Sequence, residues 1–125
     1  MVLKNIRTDL EWTELPDRQP GPGEIRVNVL ACGVCRTDLH VLYGELPGPK
    51  TPIIPGHEIV GRIDAIGPSV VGLQIGERVG IPWLGHTCGV CPYCTSNQVN
   101  LCDRPLFTGY IRFSRKSVNS CLWRI

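Results

Sequence analysis

The chain has 125 residues, 42% of them apolar and 19% charged, with 14 glycines, 11 prolines and 7 cysteines. That length supports one domain and excludes two full ones. Ordinary charge density and a mean hydropathy of +0.02 exclude wholesale disorder, and the glycine and proline content favours short strands and turns over long helices.

The formal charge of +2 is unevenly placed. Residues 1–110 hold all 11 acidic and 9 of the 13 basic residues, whereas Ile111–Ile125 contributes Arg112, Arg115, Lys116 and Arg124 with no acid. One short basic patch without helical or strand periodicity does not make a nucleic-acid interface, so no nucleic-acid partner is expected. No apolar leader opens the chain between Met1 and Glu14. The charge-free run Val79–Cys102 contains Pro82, His86, Pro92, Ser96, Asn97, Gln98 and Asn100, too many polar groups for a membrane span. These features point to a cytoplasmic protein with no membrane partner, in a compartment where clustered cysteines bind metal more often than they pair.

In chain order, Gln19–Gly23 is a turn cluster and Glu24–Ala31 alternates as a strand, with Ile25, Val27 and Val29 on one face. Cys32–Cys35 is expected to be a tight turn. Thr37 or Asp38 is the expected cap of a short helix running through Leu39, His40, Leu42 and Tyr43. Prolines at 47, 49, 52 and 55 make Gly44–Pro55 a loop. Glu58–Ala65 alternates again, with Ile59, Gly61 and Ile63 opposite Val60, Arg62 and Asp64, and Glu77–Ile81 reads as another strand. The body is therefore expected to be small, irregular and mainly β, with short helices.

The strongest chemical signal is Cys88-Gly-Val-Cys91-Pro-Tyr-Cys94 followed by Cys102. Four thiolates on one short loop can enclose a tetrahedral zinc at about 2.3 Å per bond, a closed geometry typical of structural sites. Thr87–Leu101 has few large apolar residues, so a metal would take the place of a core there. Two disulfides, buried free thiols or an iron–sulfur cluster are the competing readings, and the missing leader argues against the disulfides. A second constellation, Cys35-Arg-Thr-Asp38-Leu-His40 with Gly56-His57-Glu58, offers Cys35 and His57 as ligands of another metal and Asp38 as a carboxylate to orient the imidazole. Spacing alone does not separate this from a buried cysteine and a surface histidine.

Taken together, Glu24-Ile-Arg-Val, Ala31-Cys-Gly-Val-Cys35-Arg-Thr-Asp38, Pro55-Gly-His57-Glu58, Gly76-Glu-Arg-Val79 and the four-cysteine loop resemble the zinc-dependent alcohol dehydrogenases. The similarity is to the N-terminal, GroES-like catalytic domain of this medium-chain dehydrogenase/reductase family, over residues 1–110. The resemblance implies a GroES-like partial barrel with a protruding structural-zinc lobe at 86–102. It implies catalytic-zinc ligation by Cys35 and His57, with Asp38 supporting the ring, and structural-zinc ligation by Cys88, Cys91, Cys94 and Cys102. Thr37 matches the hydroxyl that hydrogen-bonds the substrate alcohol, His40 the histidine that relays its proton, and Glu58 a glutamate near the metal. Arg36 matches the residue that meets the coenzyme pyrophosphate, and Trp83 an aromatic residue lining the substrate pocket. The implied reaction is hydride transfer from a small alcohol to NAD or NADP, giving an aldehyde.

The sequence also departs from the family. It has no Gly-x-Gly-x-x-Gly turn, so the nucleotide-binding domain is absent, and nothing matches the second cysteine of the catalytic zinc. Ile111–Ile125 lacks Gly, Pro, Asp and Glu and does not resemble the family's continuation. It is read as an aberrant basic tail on a truncated catalytic domain. The catalytic zinc is accordingly expected to bind weakly or not at all. The alternative functions are a non-catalytic zinc-binding module and a nonfunctional remnant. Cys32 and Cys121 have no assigned role.

Overall fold

Alternation of apolar and polar residues builds the central sheet of the computed structural model, which describes residues 1–110 and 120–124. β1 (Glu24–Gly33) pairs antiparallel with β2 (Glu58–Ile66), and β2 pairs antiparallel with β3 (Arg78–Ile81). The order is β3-β2-β1-β6, with β6 (Ser120–Arg124) completing one edge. Ile25, Val27, Ile59, Ile63 and Ile81 are buried on one face of this sheet, as the period-2 pattern requires. Gly61 belongs to that face for a steric reason: a Cβ there would lie 2.4 Å from the Asn28 carbonyl oxygen and from Val27 Cγ1.

β1 is longer than its alternation suggested. Cys32 and Gly33, read from sequence as the start of a turn, continue the ladder opposite Ile59 and Glu58. The following helix, α1 (Arg36–Leu42), is capped by neither Thr37 nor Asp38. Cys35 is the N-cap: its Sγ accepts the Thr37 N–H at 3.2 Å, and the Asp38 carboxylate reaches back to the Cys35 N–H at 2.8 Å. This is a capping box in which sulfur replaces the usual hydroxyl. Sequence rules rank cysteine low as a cap, which is why the neighbouring threonine and aspartate looked better.

A second cluster lies under α1. Val41 packs with Leu3, Ile53 and Tyr110, and Trp83 and Phe107 close its side. Leu3 is held there by paired backbone bonds with Ile53, at 2.7 and 2.9 Å. The N-terminal segment, given no element from sequence, is thus a core component. Beyond β3, β4 (Leu84–His86) pairs with β5 (Leu106–Phe107), and the cysteine loop between them contains only the one-turn helix α2 (Pro92–Thr95) and a 3₁₀ turn at Val99–Leu101. The architecture is the expected one, mainly β with short helices, and it contains no nucleotide-binding domain among the described residues.

Of the segment read as an aberrant tail, residues 111–119 and 125 lie outside the described residues. Ser120–Arg124 pairs with β1 from Glu24 to Asn28. Trp123 joins the sheet cluster and also meets β4, where a Cβ on Gly85 would lie 2.8 Å from its ring. Among the described residues no helix is long and apolar enough to cross a membrane.

Candidate functional site

The β1–β2 register creates the first cluster. Gly33 faces Glu58 at the end of the ladder, so Cys35, two residues on, and His57, one residue back, emerge side by side. Cys35 Sγ lies 3.4 Å from His57 Nε2. Behind them the Asp38 carboxylate is 94% buried and fully engaged. It accepts the Cys35 N–H at 2.8 Å, the Gly56 N–H at 2.7 Å and His57 Nδ1 at 3.1 Å. A neutral imidazole that donates from Nδ1 to a carboxylate presents an unprotonated Nε2, the form in which histidine ligates metal. Gly56 has φ +96°, and a Cβ there would lie 2.5 Å from Cys32 Sγ. Only glycine lets this backbone N–H approach Asp38.

The other residues of the sequence motif lie around this pair. Thr37 and His40 stand three residues apart on α1 and so share a face, while Asp38 and Val41 form its buried face. Arg36 is exposed at the first helical position. Glu58 is exposed at the start of β2, and its carboxylate occupies the space that a side chain on Gly33 would need. Trp83 contacts the His57 ring edge-on at 4.7 Å and stacks on Phe107 at 4.8 Å. An open cleft of about 530 Å³ runs beside them, lined by His57, Glu58, Val60, Ile81, Pro82 and Trp83 among others. Phe107, a support of Trp83, was missed by sequence reasoning because β5 is only two residues long.

The second cluster brings Cys88, Cys91, Cys94 and Cys102 together, with all four sulfurs within 4.8 Å of one another. Zinc bound by four thiolates at about 2.3 Å needs sulfurs about 3.8 Å apart. Cys88 Sγ and Cys94 Sγ are 4.0 Å apart, and none of the four is in a disulfide. Backbone donors turn inward as such a site requires: the Cys88 and Arg104 N–H groups donate to Cys102 Sγ at 3.2 and 3.3 Å. Hydrogen bonds from the Val90 and Cys91 backbone lower the Cys88 thiol to about 6. Cys91 is lowered by the backbone of Asp103 and Cys94, whereas burial pushes Cys94 up to about 11. The donor set fits zinc in type, number and spacing.

The first cluster is less complete. Among the described residues the groups placed to share one ion there are Cys35, Asp38 and His57, and Asp38 is already committed to three donors. A third free ligand is not among them.

Comparison with known proteins gives the family. The family profile of the alcohol dehydrogenase GroES-like domain matches residues 21–120. The chain belongs to this family. An alcohol dehydrogenase of Geobacillus stearothermophilus is 47% identical over 110 residues, which cover 87% of this chain and 33% of that protein. The crystal structure of an NAD-dependent alcohol dehydrogenase superposes with a TM-score of 0.82 at 31% identity, covering 98% of this chain and 36% of the other. A thermostable alcohol dehydrogenase from Pyrobaculum aerophilum, solved with cobalt and zinc bound, gives a TM-score of 0.82 at 25% identity over 99% of this chain and 39% of that one. The GroES-like chain thus spans about a third of the length of the curated alcohol dehydrogenases it matches. Its Cys35–His57 pair and its four-cysteine lobe both lie inside the matched region.

Proposed function

We propose that this GroES-like chain carries the metal-binding and proton-handling part of a zinc-dependent alcohol dehydrogenase. The observation that carries the reading is the Cys35–His57 pair, 3.4 Å apart, backed by buried Asp38 and opening on a cleft walled by Trp83. Zinc, when bound by Cys35 and His57, supplies a Lewis acid that lowers the pKa of an alcohol hydroxyl. Asp38 fixes the His57 ring. The Thr37 hydroxyl would accept the alcohol proton and hand it to His40, which would pass it to water; NAD or NADP, when bound, would supply the acceptor for the carbinol hydride. Trp83 orients the alcohol or aldehyde, Glu58 stands close to the metal position, and Arg36 meets the coenzyme pyrophosphate. Cys88, Cys91, Cys94 and Cys102 hold a second zinc that orders their lobe.

Four ligands converge at the second site, whereas the first has two uncommitted ones among the described residues, which favours a second reading, a zinc-binding module without catalysis. Metal analysis and turnover separate the two. The 125-residue chain is expected to retain one zinc after dialysis, lost in Cys94→Ser, and to show no nicotinamide-dependent alcohol oxidation. Two tightly held zincs, or measurable turnover, would establish that the Cys35–His57 site is complete in this chain. If Cys35 and His57 of the wild-type chain take up no added zinc or cobalt, the non-catalytic reading is left.

A further inference from the structure

The end of α1 holds a contact that the proposed chemistry does not use. His40 Nδ1 is hydrogen-bonded to the carboxylate of Glu45, five residues on, just past the helix. The backbone fixes this meeting. Tyr43 is the C-cap, Gly44 follows at φ +67°, the Gly44 N–H donates to the Val41 carbonyl at 3.2 Å, and the Glu45 N–H donates to the His40 carbonyl at 2.9 Å. This is a Schellman turn, whose six-to-one bond joins the same two residues that pair through their side chains. The turn is itself braced: Arg7 donates from its backbone N–H to the Leu42 carbonyl and from Nε to the Tyr43 carbonyl, at 2.8 and 3.0 Å. A side chain on Gly44 would collide with Ile6, whose Cγ2 would lie 2.4 Å from the new Cβ.

We infer that Glu45 is a positioning residue, which holds the His40 imidazole as the Nδ1–H tautomer and leaves Nε2 free to accept a proton. The inference rests on the relay role proposed for His40. A carboxylate has no proton to give at neutral pH, so the nitrogen facing Glu45 must donate. The neutral ring then carries its one acceptor on the opposite edge. The three groups also run outward in order: Thr37 is partly buried, the His40 side chain is 36% exposed and Glu45 is 54% exposed. A solvent-exposed contact of this kind contributes little to stability. A fixed tautomer is a property that such a weak contact can still impose, because the two neutral forms of imidazole are close in energy.

The test is ring-nitrogen NMR on the full 125-residue chain with zinc supplied, at about pH 8, above the ordinary histidine pKa. Long-range proton–nitrogen correlations identify the tautomer, and His40→Gln assigns the signals among the three histidines. The wild-type chain is expected to carry the His40 proton on Nδ1. Glu45→Met should shift the ring toward Nε2–H, and Glu45→Gln, whose amide oxygen still accepts, should preserve Nδ1–H. An Nε2–H ring in the wild-type chain overturns the inference even if every variant unfolds, and so does a folded Glu45→Met that leaves the tautomer unchanged. The measurement needs neither coenzyme nor turnover. Failure of the dehydrogenase reading, seen in metal content and alcohol oxidation, is therefore distinguishable from failure of this one.

Discussion

Asp38 is the residue on which most of the first site depends. Its two oxygens satisfy two backbone N–H groups and one imidazole in a position that water barely reaches. Asp38→Asn removes the charge and turns an N–H₂ toward groups that are already donors. A buried donor left unpaired costs about 1–3 kcal/mol, and urea denaturation of the variant should show a loss in that range. At the other site, Cys88 is held down to about 6. Its thiolate predominates above that pH, so acidification through 6 reprotonates it and opposes metal binding. Cys94, raised to about 11, is still a thiol at neutral pH and must release its proton when zinc enters. Zinc affinity should therefore rise with pH between 6 and 9. Calorimetry in buffers of different ionisation enthalpy should detect the released proton, and a pH-independent affinity would contradict this account.

At the scale of elements, β6 gives the sharpest expectation. It covers the edge of β1, and its Trp123 reaches both the sheet cluster and the close approach at Gly85. Complete loss of a buried tryptophan costs about 3–5 kcal/mol, and Trp123 is only partly buried. Trp123→Ala is expected to cost about 2 kcal/mol by the same reasoning. Chains ending at residue 119 should be less stable again and prone to edge pairing. Denaturation midpoints and light scattering check both.

β6 also marks how far the sequence could be read. β1, β2 and β3 were legible because their alternation buries isoleucines and valines on one face. The four-cysteine lobe was legible because its ligands are neighbours in the chain. Cys35 and His57 were not legible as a pair from spacing, since the Gly33–Glu58 register that joins them is a tertiary fact. β4, β5 and β6 are too short, or too irregular in composition, for periodicity to register. The cysteine cap of α1 is invisible to rules built on oxygen side chains. The family resemblance supplied what spacing could not, because it combines motifs that are far apart in the chain.

For the whole molecule, the two hydrophobic clusters and the cysteine lobe are stabilised by different means. The sheet and the α1 cluster are closed by aliphatic and aromatic burial, whereas the cysteine lobe has no buried residues other than Cys91 and Cys102. A chelator is therefore expected to disorder residues 87–104 while the β1–β2–β3 sheet persists. Hydrogen exchange should show protection lost in the lobe and retained at Val27, Ile59 and Ile63. Uniform loss of protection would mean that the metal holds the entire fold.

The hydrogen bond from Gly56 to Asp38 has one more consequence. It ties together positions 18 residues apart and pins both ends of the proline-rich segment at the same carboxylate. Closing a longer flexible segment costs only about 0.6 kcal/mol for each doubling of its length. Within Pro47–Lys50, whose ends are both held to Tyr110, the exposed Gly48 has open space around it, so the chain can accept insertions there without displacing Cys35 or His57. In this fold, that stretch is where a change of length could be tolerated while the metal ligands stay in place.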